Sequence, residues 1–159
     1  MSSERSPEVI ELTFPASSSY VRLSRLAAAA LAAELDFDVE AVDDLRIAVD
    51  EAVTLLVSGR HDAPITLRFL PSRTGIVIEG RCEGAEVDGF EVTDLVEAIL
   101  SATADEHEVH AGPGGRRFRL VKFLNGGSGL DGDRDRFDGF GPDDLGDGGD
   151  GADGGADLE

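Results

Sequence analysis

Histidine and cysteine, the side chains that most often bind metals or act as nucleophiles, are few in this sequence. The histidines are His61, His107 and His110. His61 falls in a predicted loop, and the other two lie three residues apart on a predicted strand, where they face opposite sides and form no metal-binding pair. Cys82 has no obvious histidine partner and is predicted to be a small buried side chain. We therefore expect surface or edge histidines and no metal site.

The aspartates near the C-terminal end offer a second kind of chemistry, the binding of a hard cation. Residues 126–131 match one copy of a calcium-binding β-helix repeat, and residues 148–153 imitate it in part. Such repeats need several stacked units, and these two are not adjacent. Asp131, Asp133 and Asp135 resemble the start of an EF-hand loop, but Arg136 and Pro142 occupy the positions of its glycine and bidentate glutamate. Weak association with divalent ions is the most that this segment predicts.

Glu51 is the remaining candidate, and it lies in the most regular pattern of the chain. Residues 42–57 carry apolar side chains at intervals of three and four, which is typical of an amphipathic helix: Val42, Leu45, Val49, Ala52, Val53 and Leu56. Most charges lie elsewhere on the helical wheel, whereas Glu51 is set among apolar neighbours. Leu55 follows four residues later on the same face.

This segment resembles the nucleotide-site helix of histidine-kinase-like ATPases, in the branch of the anti-sigma-factor serine kinases. The shared pattern, Ile-Ala-Val-x-Glu-Ala-x-Thr, runs from Ile47 to Thr54, and the family continues with an asparagine where this chain has Leu55. The opening Leu-Thr-Phe-Pro-Ala of residues 12–16 and the Asp-Glu-His-Glu-Val of residues 105–109 extend the resemblance, which covers about residues 8–124.

The resemblance implies that Glu51 is the general base, polarising the serine hydroxyl or water that attacks the γ-phosphate of ATP. The family asparagine holds Mg²⁺, and Leu55 cannot replace it because its side chain has no oxygen. The alternative interpretation is that Glu51 is a retained family residue that makes a polar contact and has no catalytic role.

Two further nucleotide-binding elements of the family are altered. Active relatives carry Asp-x-Gly-x-Gly after the third strand, where the aspartate contacts adenine; here Glu79 lies near that position, but the glycine spacing of residues 79–85 differs. Residues 84–93 contain no Gly-x-Gly cluster to bind phosphates, and carboxylates in and beside this segment would repel a triphosphate: Glu83, Glu86, Asp88 and Glu91. We expect a degenerate site without a cofactor, with ATP and Mg²⁺ only if the chain is an active kinase.

Composition excludes several classes of partner. The formal net charge of -19 over 159 residues would repel nucleic acid and anionic membranes. No apolar stretch approaches the roughly 20 residues that span a bilayer, and residues 1–8 lack the apolar part of a signal peptide. A single cysteine permits no internal disulfide and suits a reducing compartment, so we expect a cytoplasmic protein.

Periodicity and turn signals predict three helices and five strands. The strands are residues 9–14, 65–70, 75–80, 106–111 and 116–123, and the helices are residues 20–35, 42–57 and 94–104. Because the strands are mostly linked by hairpins, such as the one at residues 112–115, we expect an α+β fold: a two-layer sandwich of a mostly antiparallel or mixed sheet with helices on one face. The resemblance implies the same architecture, that of the histidine-kinase-like ATPase fold.

Three local expectations concern side-chain environments. The inner stripe of the first helix is predicted from Leu23, Leu26, Ala27, Ala30 and Leu31. Asp94 and Glu97 have the spacing of a capping box at the start of the third helix. The run of residues 116–119, Arg-Arg-Phe-Arg, is predicted to be the solvated edge of a terminal strand.

The composition changes after Leu124. Residues 125–159 contain 12 glycines and 10 aspartates, too few apolar groups to offset the entropy of ordering, so a disordered acidic tail is predicted. The organisation expected is a flexible N-terminus (residues 1–7), a histidine-kinase-like ATPase domain (residues 8–124) and this tail.

Two functions remain open. The first is a regulator of the anti-sigma type that acts by docking, for which the resemblance implies a sigma factor or an anti-anti-sigma protein as partner and allows a homodimer. The second is an active ATP-dependent serine kinase with a divergent Mg²⁺ site, in which Glu51 is essential.

Overall fold

The computed structural model describes residues 8–58, 63–84 and 90–124. These residues form five strands and three helices: β1 Ile10–Pro15, α1 Ser18–Glu34, α2 Val39–Val57, β2 Pro64–Pro71, β3 Gly75–Cys82, α3 Asp94–Thr103, β4 Glu106–Gly112 and β5 Gly115–Phe123. The predicted flexible N-terminus and the predicted acidic tail lie outside the described residues, so both stay predictions.

The five strands form one sheet in the order β1-β2-β3-β5-β4, and all neighbouring strands are antiparallel. Alternate side chains of β2, β3 and β5, among them Leu67, Ile78 and Leu120, lie in one apolar core with residues of all three helices. The helices therefore pack on one face of the sheet, and the predicted α+β sandwich is confirmed. No described helix has both the length and the apolar character needed to cross a bilayer.

Each helix begins where a side-chain oxygen accepts a hydrogen bond from a free backbone N–H group. Ser17 caps α1, Asp38 caps α2 and Thr93 caps α3. The predicted capping box of α3 is wrong, because the cap is Thr93, one residue earlier. Asp94 and Glu97 lie in the first turn instead, where their charges favour the positive end of the helix.

The predicted inner stripe of α1 is only partly right: Ala27 and Leu31 pack against the core, whereas Leu23, Leu26 and Ala30 are exposed. The residues of α1 that are buried are Val21, Ser24, Ala28 and Ala32, whereas Leu26 is 63% exposed and Leu23 is 38% exposed. Because α1 is apolar on nearly every side, its periodicity does not identify a single inner face. Small side chains allow α1 to lie close to α2, and this close packing determines which side is buried.

The open face of the sheet carries a row of alternating charges across all five strands. In strand order the row consists of Glu11, Arg68, Glu79, Arg119 and Glu108, each directly opposite the next. Opposite charges at facing positions stabilise neighbouring strands. We call this set the charge row.

The predicted hairpin between β4 and β5 is confirmed. Gly112 lies opposite Gly115, and residues 113 and 114 form the turn. Gly115 has φ +109°, and a side chain on it would meet the carbonyl oxygen of Cys82 at 2.3 Å. Glycine is therefore required where β5 begins, immediately before Arg116.

Candidate functional site

Glu51 lies on one flank of α2 together with Asp44, Ala48 and Leu55, at spacings of four, three and four residues. At the Asp44 end of this flank, Lys122 of β5 bridges α2 and α3. Its Nζ donates to Asp44 Oδ2 and to the carbonyl oxygen of Thr103, both at 3.1 Å. Glu51 is half-buried and makes no hydrogen bond or ion pair within the described part of the chain. Its carboxylate is therefore available to a ligand.

Leu55 stands where the resemblance implies a metal-binding asparagine. Its side chain is 8% exposed and contributes only carbon atoms, which cannot ligate a hard cation. Over the described ranges, no group of three or more His, Cys, Asp or Glu residues is arranged to hold a metal ion. The flank that carries Glu51 therefore provides a carboxylate but no oxygen from residue 55.

Arg116 lies at the C-terminal end of this helix, where it satisfies carbonyl groups that have no partner within α2. Its Nη1 donates to the carbonyl oxygen of Leu55 at 3.2 Å and also to that of Ser58. The guanidinium carbon is 5.0 Å from the centre of the Phe90 ring, which is within cation–π distance. The charged group thus joins β5, the end of α2 and the segment before α3.

The prediction that residues 116–119 form a solvated edge is wrong for two reasons. First, β5 is an interior strand between β3 and β4. Second, Arg116 is only 3% exposed, because it shares the helix-facing side of the strand with Phe118 and Leu120. The signal was present in the sequence, since residues 116, 118 and 120 alternate in step, but the predicted edge position of the strand obscured it.

Glu79 lies on the opposite face of the sheet from Glu51. Its neighbours in β3, Ile78 and Gly80, face the helices, so Glu79 faces the open side. There its carboxylate is 3.4 Å from Arg68 Nη1 and 4.0 Å from Arg119 Nε. Burial raises the pKa of Glu79, and the two arginines partly oppose that rise. The structure does not bring Glu79 and Glu51 together, and the adenine contact stays a prediction.

The residues near the altered glycine loop are only partly described. Cys82 is fully buried on the helix-facing side of β3, which confirms the prediction of a small buried side chain. Residues 85–89, which contain part of the segment compared with the family's phosphate-binding loop, lie outside the described ranges, so the degenerate loop stays a prediction.

The two described histidines lie on opposite sides of β4, as the spacing predicts. His107 Nε2 is 2.8 Å from Glu97 Oε1 and so links β4 to α3. His110 is exposed, consistent with a surface histidine. His61 lies outside the described residues.

A pocket that the sequence did not predict lies at the N-terminal end of α2. Its volume is about 160 Å³, and five carboxylates line it beside Lys122: those of Asp36, Asp38, Glu40, Asp44 and Asp105. Even Asp44, which lies within α2, is about three turns of helix from Leu55. Their charge is unsuited to a triphosphate.

Comparison with known proteins identifies relatives. Over 65 residues the chain is 42% identical to the serine-protein kinase RsbW of Listeria monocytogenes. This match covers 38% of this chain and 41% of that protein. It is 31% identical over 88 residues to the serine-protein kinase RsbW of Halalkalibacterium halodurans, covering 53% of this chain and 54% of the relative. No protein-family model matches.

A longer match is with the anti-sigma F factor of a Thermoanaerobacter species, strain X514, at 30% identity over 134 residues. It covers 73% of this chain and 94% of that protein. The match to the two kinases spans 41% and 54% of their lengths, whereas the match to the anti-sigma F factor spans nearly all of it.

Proposed function

This chain belongs to the anti-sigma-factor kinase family, and from that premise we propose that it is an anti-sigma regulator that acts by docking on a partner protein and has lost nucleotide handling. The observation that carries the loss of nucleotide handling is Leu55, a buried hydrocarbon side chain where the resemblance implies a metal-binding asparagine. Mg²⁺ neutralises charge on the phosphates during transfer, and the side chain at position 55 supplies no oxygen to hold it.

Docking is supported by the outward face of α1. Tyr20, Leu23 and Leu26 are exposed on this helix, and a helix that is apolar all round is normally covered. The partner that we propose is a sigma factor or an anti-anti-sigma protein, with an apolar surface flanked by basic side chains that complement a net charge of -19. The family resemblance also allows a homodimer.

A second candidate function, an active ATP-dependent serine kinase, is favoured by Glu51. Its carboxylate is half-buried, has no partner among the described residues, and lies on the same flank as residue 55. A free carboxylate at this position is what a general base requires. The kinase would need Mg²⁺ held by other groups.

Calorimetric titration with ATP and MgCl₂ separates the two functions. The docking regulator gives no heat of binding at ligand concentrations up to about 1 mM, with a folded sample established by circular dichroism. Binding at micromolar strength, together with phosphate transfer to a partner serine that Glu51→Gln abolishes, would establish the kinase instead.

The docking surface is tested with Leu26→Asp in a binding assay against a panel of bacterial sigma factors and anti-anti-sigma proteins. A charge in the centre of an apolar interface should weaken binding by at least about tenfold. The matched control is Val39→Asp, which places the same charge on an apolar residue that is 79% exposed at the start of α2. Equal binding by both variants and the unaltered chain would remove the α1 face from the proposal.

A further inference from the structure

Arg116 carries a buried positive charge that no carboxylate neutralises among the described residues. Among the residues that the structure describes, its hydrogen-bond acceptors are two carbonyl oxygens, and its buried Nε has no hydrogen-bond partner there. An arginine buried in this way is normally paired with an anion. The chain instead stabilises it with the negative end of α2 and the face of an aromatic ring.

Phe90 supplies that ring and precedes the cap of α3 by three residues. Its contact with the guanidinium places the segment 90–93 against the same end of α2 that carries Leu55. The sheet fixes the backbone of Arg116, because this residue lies directly opposite Cys82 in β3 and follows Gly115, where glycine is required. The side chain of Arg116 thus links β5, the C-terminal end of α2 and residues 90–93.

We propose that Arg116 is an internal cation that pins residues 90–93 to the C-terminal end of α2 and keeps a metal ion from the Leu55 end of the candidate site. The guanidinium is within hydrogen-bond distance of the Leu55 carbonyl oxygen. A divalent cation beside residue 55 would be repelled by this fixed charge, which burial screens little from its surroundings. Restoring an oxygen ligand at position 55 is therefore insufficient for metal binding while Arg116 remains.

The pinning is tested by hydrogen exchange, which does not depend on nucleotide. The exchange of residues 90–93 is read from the two amides that donate to Thr93, those of Val96 and Glu97. In Arg116→Met, these two amides and those of residues 55–58 should exchange at least about tenfold faster than in the unaltered chain, because both contacts are lost. Phe90→Leu should accelerate the exchange of Val96 and Glu97 alone, and Arg116→Lys, which retains the charge without the guanidinium fork, should restore part of the protection. Arg117→Met is the matched control: it alters the next residue, which is exposed, and should change neither segment.

Faster exchange of residues 55–58 with no change at Val96 and Glu97 would make Arg116 a helix cap only and overturn the pinning. If Arg116→Met does not fold, Phe90→Leu still tests the pinning, because it removes the ring contact and leaves both carbonyl contacts intact. Unchanged exchange at Val96 and Glu97 in Phe90→Leu would likewise overturn it.

Exclusion of the metal is tested by titrating variants with MgCl₂ and with Mg–ATP; this part of the inference rests on the proposed loss of nucleotide handling. We expect no binding by Leu55→Asn, and binding by Leu55→Asn combined with Arg116→Met. Equal binding by the single and double variants, or no binding by either, would overturn the exclusion. Mg–ATP binding by the unaltered chain would contradict the proposed function, whereas the exchange experiment would still decide the pinning.

Discussion

Arg116 and Leu55, 61 residues apart in sequence, are joined by a hydrogen bond of 3.2 Å from the guanidinium Nη1 to the backbone carbonyl oxygen. A strand residue therefore completes the last turn of a helix. The same helix turn carries the Leu55 side chain, so a buried guanidinium lies at the end of α2 where the resemblance implies a metal ligand.

The first prediction concerns the stability that Arg116 provides. Arg116→Met leaves the carbonyls of Leu55 and Ser58 without their donor, and we expect the free energy of unfolding in urea to fall by about 2–4 kcal/mol. The control is Arg117→Met, in the same strand but exposed, which should stay within about 0.5 kcal/mol. Similar losses in the two variants would contradict a special role for the buried guanidinium.

The second prediction concerns Lys122, which lies inside the helix-facing side of β5. Lys122→Met leaves Asp44 and the carbonyl oxygen of Thr103 without their donor, so the unfolding free energy should fall by about 2–3 kcal/mol. The comparison is Arg46→Met, which breaks an exposed pair with Asp43; we expect less than about 0.5 kcal/mol there. Chemical denaturation of both variants distinguishes the buried pair from the exposed one.

The third prediction follows from the raised pKa of Glu79, which burial causes against the opposing effect of Arg68 and Arg119. A carboxyl with a raised pKa binds its proton more tightly in the folded protein than in the unfolded chain. The stability that this proton contributes is therefore fully present at a pH below the ordinary pKa of 4.5, and it is lost as the pH rises through the raised pKa of the folded protein. The unfolding free energy of the unaltered chain minus that of Glu79→Gln should therefore decrease as the pH rises from below 4.5. A difference that is constant, or that increases over this range, would contradict the burial effect.

The fourth prediction concerns the two sides of α1. Ala28 is fully buried, and Ala28→Leu should destabilise the fold by about 1–3 kcal/mol because the added carbon atoms have no space. Leu26→Ala removes an exposed side chain and should change stability by no more than about 0.5 kcal/mol. If Leu26→Ala were the more destabilising change, the assignment of the inner face would be wrong.

The elements could be predicted from the sequence because their ends carry local signals. The turn predicted at residues 112–115 determines where the chain reverses between β4 and β5, and its position agrees with the structure. The face of α1 could not be predicted, because alanine and leucine are equally apolar and only the approach of α2 distinguishes them. The departure at Leu55 was visible from sequence alone.

The burial of Arg116 depends on information that no local pattern contains. An alternating run of arginines has the same pattern on an edge strand and on an interior strand. The sheet order, which places β5 between β3 and β4, arises from long-range pairing. Only this order shows that one arginine of the run faces the helices and reaches the end of α2, 58 residues away in sequence at Ser58.

The charge row has a consequence for how the strands find their partners. If β2 slipped by two residues against β3, Arg68 would face either Val77 or Arg81 in place of Glu79, and this buried carboxylate would lose one of its two arginine partners. A slip of one residue would turn the apolar side chains of the strand to the wrong face. Arg68, Glu79 and Arg119 each face an opposite charge on both neighbouring strands, and Glu11 and Glu108 each face one. A two-residue slip at any of the four strand junctions would therefore separate one pair of opposite charges, and the row favours the native alignment as the sheet assembles.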